Sequence, residues 1–276
     1  MKGVNLFSES IYIDRELNEI LYTVEDIEDK KTWRDIVPPL THRFILNCLD
    51  TNVIMIRDTP TFPLKGGKKS CFYINLREFP SIYREDRKHL LGVNSKNHRH
   101  TAILTKDMID LAYGEIFHSI GINNFDVGVL IPHAAMNLAY GLHNIYGIPM
   151  GYGIKETEPK GWGVPRYVHV ILKDNAKGLL VDDVVTEGHS KEEHIIKIQK
   201  QCEIDGVKGF NIKDVFVEVD RLQGGRKNLK NIRTPLCSEG LNLASSFNSA
   251  VCGNVGINYG KIVENQYEAL FSEIEI

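Results

Sequence analysis

The chain has 276 residues, 42% of them hydrophobic and 25% charged, with a formal net charge of −3. These values are typical of a globular protein with one large core, and the charge argues against a general nucleic-acid or anionic-membrane binder. No apolar run is long enough for a transmembrane helix, and the first residues lack the apolar core of a signal peptide. The five cysteines are scattered without a CxxC pair, which favours free thiols in a reducing, cytoplasmic compartment.

The first 42 residues are charged and irregular in pattern, and the pair Pro38-Pro39 interrupts any element formed there. Clear strand and helix signals begin only near residue 41. We therefore predict an N-terminal extension, 1–42, followed by a main domain, 43–276.

The main domain alternates strand and helix patterns. Predicted helices cover 41–50, 105–121, 133–147 and 190–206, and predicted strands cover 52–58, 69–79, 125–132, 148–154, 178–185 and 211–221. The helix 105–121 is expected to begin at Thr105 as its N-cap, and the helix 190–206 to close on its final glycine. This alternation predicts an α/β fold with a parallel sheet, in which ligands bind at the carboxyl ends of the strands.

The stretch GLLVDDVVTEGHS, residues 178–190, carries the clearest chemical signal. An apolar strand runs into Asp182 and Asp183, and a polar turn then leads into a helix that begins near Ser190. Such a turn presents backbone N–H groups and the positive helix end to a phosphate, while carboxylates accept hydrogen bonds from sugar hydroxyls. A phosphorylated ribose satisfies both halves, although the same acids could serve magnesium binding in a receiver-like domain.

The stretch LLVDDVVTEGHS also resembles the 5-phosphoribosyl diphosphate (PRPP) signature of type I phosphoribosyltransferases. Further segments resemble the orotate phosphoribosyltransferase branch of that family. They are FPLKGGKKSCFYINLR (62–77), IPHAAMNLA (131–139), GIPMGYGIKETEPKGWG (147–163) and VEVDRLQGG (217–225). In this order the motifs cover about residues 43–260.

The resemblance implies the type I phosphoribosyltransferase fold, a central, mainly parallel sheet flanked by helices with small hood elements. It implies Mg²⁺-dependent transfer of the 5-phosphoribosyl group from PRPP to orotate, giving orotidine 5′-phosphate and diphosphate in pyrimidine nucleotide synthesis. Magnesium would bind mainly through PRPP oxygens rather than through protein ligands. The implied assembly is a homodimer in which each flexible loop covers the neighbouring site.

Matching positions give the expected PRPP contacts. The acidic pair, Asp182 and Asp183, would hold the ribose hydroxyls, and the turn Thr186–Ser190 the 5′-phosphate. The full expected set is Lys65, His133, Ala134, Lys155, Asp182, Asp183, Val184, Val185, Thr186, Glu187, Gly188, His189 and Ser190.

The expected orotate contacts are Lys65, Tyr73, Ile74, Thr186 and Arg221. Arg221 matches the family arginine that meets the orotate carboxylate, and a guanidinium can bind a carboxylate through two parallel hydrogen bonds. Tyr73 and Ile74 also fit the simple alternation of a half-buried strand.

The catalytic-loop segment, residues 154–161, departs from the family pattern. Lys155 is retained, but Glu158 stands where the family has a second lysine and Lys160 where it has a histidine. The expected catalytic residues are therefore Lys155, Lys160, Asp182 and Asp183. The departures leave two alternatives open, a phosphoribosyltransferase for another nitrogenous base and a non-catalytic PRPP- or nucleotide-binding regulator.

Overall fold

A computed structural model describes residues 39–64, 67–76, 98–132, 135–154 and 166–274, with the backbone alone given for 98–104. The chain divides into two compact units. The terminal unit comprises Met1–Gly114 and Phe247–Ile276, and the sheet unit comprises Glu115–Ser246.

Seven α-helices and ten strands lie within the described residues. The helices are α1 Pro39–Asp50, α2 His98–Glu115, α3 Met136–Tyr146, α4 His189–Asp205, α5 Gly225–Asn231, α6 Ser249–Asn258 and α7 Glu264–Ser272. The strands are β1 Ile54–Ile56, β2 Phe62–Pro63, β3 Lys69–Ser70, β4 Phe72–Ile74, β5 Val127–Leu130, β6 Met150–Gly153, β7 Val168–His169, β8 Lys177–Val185, β9 Asn211–Asp220 and β10 Asn242–Asn248.

The terminal unit contains two short antiparallel pairs, β1 with β4 and β2 with β3. The carboxylate of Glu273, just after α7, accepts hydrogen bonds from Ser70 Oγ at 2.5 Å and from the Cys71 N–H at 2.6 Å. Gln266 Nε2 donates to the Ile56 carbonyl at 2.7 Å. The C-terminal helix therefore holds the hairpin that carries Tyr73.

The sheet unit is built on a six-stranded sheet in the order β10-β9-β8-β5-β6-β7. The pairs β5–β6, β5–β8 and β8–β9 are parallel, whereas β7 is antiparallel to β6. Leu179, Leu180 and Val181 of β8 are fully buried, as expected for a central strand covered on both faces. The predicted α/β class with a mainly parallel sheet is confirmed.

A register shift between Gly178 and Leu179 interrupts the β8–β9 ladder. Gly178 opposes Ile212 but Leu179 opposes Asp214, so Lys213 is an extra residue on β9. Since side chains alternate along a strand, one extra residue exchanges the faces of all that follow. The shift thus decides which β9 side chains point to which face at the carboxyl end.

Most predicted elements are confirmed in position, including β8 and the helix that closes on Gly206, which has a φ of +71°. Two predictions were wrong in detail. Helix α2 begins at His98 rather than Thr105, because no proline or glycine breaks residues 98–104. The strand predicted over 69–79 is divided into β3 and β4 at Cys71, where Ser70 Oγ bonds the Phe72 backbone.

Several elements were not predicted, namely β7, β10 and the helices α5, α6 and α7. The proposed boundary at residue 42 stays a prediction, since residues 1–38 lie outside the described part of the chain. Within the described residues, no helix is long and apolar enough to cross a membrane.

One carboxyl group is fully buried in the sheet unit. Glu218 of β9 has no exposed surface, and Ser246 Oγ donates to its Oε2 at 3.0 Å. Burial raises the pKa of Glu218 well above its usual range, with the nearby charge of Glu115 acting in the same direction and the Ser246 hydrogen bond opposing it. Burial therefore favours the protonated form of Glu218 in the folded protein.

We predict that Glu218→Gln stabilises the protein increasingly as pH rises above about 4.3, the ordinary carboxyl pKa. Above that pH the unfolded chain releases the Glu218 proton while the folded chain keeps it, so the free energy of unfolding of the parent protein falls. Urea unfolding at pH 5 and pH 7.5 measures this difference, with the exposed Glu239→Gln as control. An identical pH slope in parent and variant would show that Glu218 is ionised when folded.

Candidate active site

The carboxyl ends of β5 and β8 lie side by side at the centre of the sheet. From β5 the chain continues outward to β6, whereas from β8 it continues in the opposite direction to β9. This reversal opens a crevice at the strand ends, which is where open α/β sheets bind ligands. The predicted ligand loop 182–190 begins with the last residues of β8 at this point. Ile131 and Pro132 follow β5 beside it, with the Ile131 N–H bonded to the Val181 carbonyl at 2.9 Å.

The two adjacent aspartates occupy different environments. Asp182 is 4% exposed, whereas Asp183 is half-buried. The backbone N–H of Asp183 donates to Asp182 Oδ1 at 2.9 Å. Neighbouring side chains on a strand point to opposite faces, so the carboxylates of Asp182 and Asp183 lie on opposite faces of the sheet.

The turn that follows β8 feeds directly into the N-terminus of α4. Gly188 has a φ of +91°, which glycine adopts at no steric cost, and α4 begins at His189. The N–H groups of Lys191 and Glu192 point back to the Gly188 carbonyl. The start of a 17-residue helix supplies the positive dipole end and N–H donors suited to a phosphate.

Helix α5 supports this turn from behind. A Cβ at Gly225 would lie 2.4 Å from the Thr186 carbonyl oxygen, so only glycine permits the observed approach. Asn228 Nδ2 donates to the Glu187 carbonyl at 2.9 Å. The backbone of the turn is thus held in place independently of any ligand.

The end of β9 brings Arg221 alongside the same loop. The Arg221 N–H donates to the Val185 carbonyl at 3.0 Å, and the residue is 6% exposed. Leu222 adopts a φ of +55°, rare for a branched residue, and its N–H bonds Asp220 Oδ1 at 2.9 Å. Such strained backbone is concentrated at functional sites.

Asp220 lies beneath this turn and is almost fully buried. Burial raises its pKa, while the Leu222 N–H and the nearby cations Arg226 and Lys191 oppose that rise. The Arg226 guanidinium is 3.7 Å from Asp220 Oδ2. The strand ends therefore combine buried carboxyl groups with nearby cations.

Lys191, in the first turn of α4, is the buried cation that sequence reasoning missed. It is 2% exposed, and its Nζ lies 2.6 Å from Asp182 Oδ2 and 2.5 Å from the Val184 carbonyl. A lysine beginning a polar helix normally indicates a solvated side chain, so nothing in the sequence pointed to this contact.

Helix α4 also holds Ile154, the first residue of the catalytic-loop segment, and Tyr167, which lies beyond its end. The Ile154 N–H donates to the Tyr167 carbonyl at 2.8 Å. Two side chains of α4 bond the same residues: Lys197 Nζ donates to the Ile154 carbonyl at 3.0 Å, and Gln201 Oε1 accepts from the Tyr167 N–H at 2.8 Å. On the same helix, burial lowers the pKa of His194 to about 4, with Lys197 adding to the effect. The imidazole is therefore neutral at pH 7.

The structure brings together the predicted residues Asp182–Ser190 and Arg221 within the sheet unit. Tyr73 and Ile74 lie in β4 of the terminal unit, where the Tyr73 ring stacks on Phe62 with 5.2 Å between centroids. The remaining predicted site residues lie outside the described part of the chain; they are Lys65, His133, Ala134, Lys155 and Lys160.

We predict that Gly225→Ala displaces the turn after β8, because the added methyl group meets a backbone oxygen that cannot rotate away. Overpacking of this kind costs about 1–3 kcal/mol, and binding of PRPP, measured by calorimetry, should weaken with it. Gly178→Ala is the matched control, since its Cβ would meet the Phe210 ring at 2.8 Å at the opposite end of β8. Equal PRPP affinity in the two variants would contradict the supporting role of α5.

Comparison with known proteins agrees with this geometry, although no family model matches the chain. The chain is 30% identical over 206 residues to orotate phosphoribosyltransferase of Staphylothermus marinus, covering 75% of this chain and 82% of the relative. It is 27% identical over 191 residues to the Cenarchaeum symbiosum enzyme of the same name, covering 68% of this chain and 82% of that one.

Among solved structures, orotate phosphoribosyltransferase from Aeropyrum pernix shares the fold. The TM-score is 0.54 at 18% identity, covering 79% of this chain and 99% of that chain. This similarity confirms the type I phosphoribosyltransferase fold. Together with the strand-end loop and the S. marinus relative, it shows that the chain belongs to the orotate phosphoribosyltransferase family.

Proposed function

We propose that this protein transfers the 5-phosphoribosyl group of PRPP to orotate, forming orotidine 5′-phosphate and diphosphate. The observation that carries this proposal is the loop 182–190, which places an acidic strand end and a helix N-terminus together at the switch point of the sheet. These two features suit a sugar hydroxyl and a phosphate on one ligand. The family relationship identifies PRPP as that ligand.

In the reaction the bond between ribose C1 and a diphosphate oxygen breaks, and the electron pair leaves with diphosphate. A bond forms between C1 and a ring nitrogen of orotate, and the proton of that nitrogen passes to solvent. The protein mainly orients the two reactants and neutralises departing charge. The turn Thr186–Ser190 holds the 5′-phosphate, and the acidic end of β8 lies beside the ribose.

Orotate carries a carboxylate, which Arg221 is suited to bind. Arg221 immediately precedes the strained residue Leu222. Its backbone N–H bonds Val185 of the loop 182–190, here called the PRPP loop. Buried guanidinium groups bind carboxylates strongly through paired hydrogen bonds. Lys65, Tyr73 and Ile74 remain predicted orotate contacts, and Lys155 and Lys160 remain the predicted cations for the diphosphate.

Magnesium fits this proposal as an ion carried mainly by PRPP oxygens. Mg²⁺ prefers hard oxygen ligands and retains several waters, and the half-buried carboxylate of Asp183 offers an oxygen of that kind. When bound, the ion would neutralise charge on the diphosphate.

We predict that the protein releases diphosphate from PRPP only when orotate is present, and that chelation of Mg²⁺ abolishes this release. Asp183→Asn should reduce the rate of release at least about tenfold, because the substitution removes a hydrogen bond to a charged group. Orotate absorbance and diphosphate release measure it, with Asp205→Asn at the exposed far end of α4 as control. PRPP binding without turnover would instead favour the regulator that Glu158 suggests. Turnover with a different base would overturn orotate as acceptor.

A homodimer is also proposed, and an exposed apolar face in the sheet unit supports it. Tyr140 of α3 is 56% exposed and Tyr152 of β6 is 41% exposed, beside a groove lined by Met136 and Met150. Ile171, which is 81% exposed, follows β7 at the same edge of the sheet. Exposed aromatic and methionine side chains of this kind are enriched at protein interfaces. We propose a second copy of the chain as the occupant.

Tyr140→Glu is predicted to convert the dimer into a monomer, because it buries a charge in the interface. Analytical ultracentrifugation measures the change, and Ile204→Glu is the control, since Ile204 is comparably exposed but lies in the last turn of α4. A monomeric parent protein, or a variant that remains dimeric, would contradict this assignment.

We place the protein in the cytoplasm. All five cysteines are free and buried, and free thiols persist in a reducing compartment.

A further inference from the structure

A lysine is almost never fully buried unless a partner compensates its charge. Lys191 is 2% exposed, and its ammonium contacts Asp182 Oδ2 at 2.6 Å, the Val184 carbonyl at 2.5 Å and Ser190 Oγ at 3.4 Å. An ammonium group has three hydrogen-bond donors, so these three acceptors satisfy it. The positive end of a helix disfavours a cation in the first turn, and the ion pair with Asp182 offsets this.

Both carboxylate oxygens of Asp182 are already engaged. Oδ2 receives Lys191, Oδ1 receives the backbone N–H of Asp183, and the residue is 4% exposed. Its neighbour Asp183 is half-buried on the other face of the strand. A ligand at the strand end therefore meets the two acids very differently.

We propose that Asp182 and Lys191 form a positioning pair for the PRPP loop, and that Asp183 alone supplies the carboxylate that recognises the ribose. The inference rests on the proposed function. Lys191 joins the end of β8, through Asp182 and Val184, to the first turn of α4, through Ser190. The turn between them, Thr186–Gly188, is then fixed before ligand binds, and its N–H groups need no reorganisation to meet the 5′-phosphate.

The surroundings are consistent with a pair rather than with an isolated carboxylate. Asp220 lies in the field of Lys191, and His194, neutral at pH 7, lies in the field of Asp182. Removing Lys191 alone would leave two buried acids with one fewer cation, a costly arrangement. Removing both charges of the pair would not leave two buried acids in this arrangement.

The test compares four variants of the full chain: Lys191→Met, Asp182→Asn, the double variant of these two, and Asp183→Asn. Calorimetric titration with PRPP and Mg²⁺, in the absence of orotate, gives the affinity, and urea unfolding gives the stability. We expect Lys191→Met to weaken PRPP binding at least about tenfold, and the double variant to recover to within about threefold of the parent, because no unpaired charge remains. Asp183→Asn should lose about tenfold to a hundredfold with little change in stability.

A direct ribose contact by Asp182 predicts the opposite for the double variant, which would then bind PRPP as weakly as Asp183→Asn. That result would overturn the proposal, and it can be obtained even if Lys191→Met alone does not fold. The steady-state KM values give a second readout, since a loop-positioning pair should change the KM for PRPP and leave the KM for orotate unchanged.

Arg43→Met in the terminal unit is the matched control for stability. It leaves the buried carboxylate of Asp107 without the exposed guanidinium that bonds it at 2.6 and 2.9 Å, so it mimics loss of the cation beside a buried carboxylate outside the PRPP loop. Its PRPP affinity should equal that of the parent. Failure of the parent protein to bind PRPP would overturn the proposed function and this inference with it, whereas PRPP binding without orotate turnover would overturn the proposed reaction and leave this inference standing.

Discussion

The parallel pairing of β8 with β9 and β5 is the constraint on which the site depends. It brings the ends of the three strands to one edge, where the Arg221 N–H reaches the Val185 carbonyl and the Ile131 N–H reaches the Val181 carbonyl. The one-residue shift at Gly178 determines the register over the rest of the ladder. Because a shift by one residue exchanges the two faces of a strand, this irregularity near the amino end of β8 determines how Glu218 and Asp220 are placed.

Three buried acidic residues lie at or near the carboxyl ends of β8 and β9, namely Asp182, Glu218 and Asp220. Burial favours the neutral form of Glu218, hydrogen bonds and nearby cations oppose the rise in the pKa of Asp220, and Asp182 is paired with Lys191. The free-energy cost of burying an unpaired carboxylate is lowered by a different route at each residue, namely protonation, hydrogen bonding or ion pairing. Asp183, by contrast, remains half-buried. The arrangement separates the acids buried within the protein from the acid that we propose to recognise the ribose.

Helix α4 connects several parts of the site through one rigid element. Its first turn forms the proposed phosphate site and carries Lys191, while Lys197 and Gln201, about two and three turns further along, hold Ile154 and Tyr167. A helix advances about 1.5 Å per residue, so these contacts are spread over roughly 15 Å. The helix that ends the PRPP loop therefore also holds the chain at Ile154 and at Tyr167.

The sequence by itself determined the α/β class, the central strand β8, the helix that follows it and the loop 182–190. These follow from local patterns, because an apolar run, adjacent acids and a glycine turn are all visible within thirteen residues. It did not determine the start of α2, the division of the strand at Cys71, or the helices α5, α6 and α7, whose short polar or small-residue stretches have weak periodicity.

Only the tertiary structure decided the different environments of the two aspartates. Asp182 and Asp183 are equivalent in a sequence, and Lys191 looks like any solvated lysine in a polar helix. Their pairing arises because the chain folds back between β8 and α4 and closes the ammonium among Asp182, Val184 and Ser190. Burial is a property of that three-dimensional arrangement, and burial is what turns an ordinary surface charge into an ion pair that orders a loop.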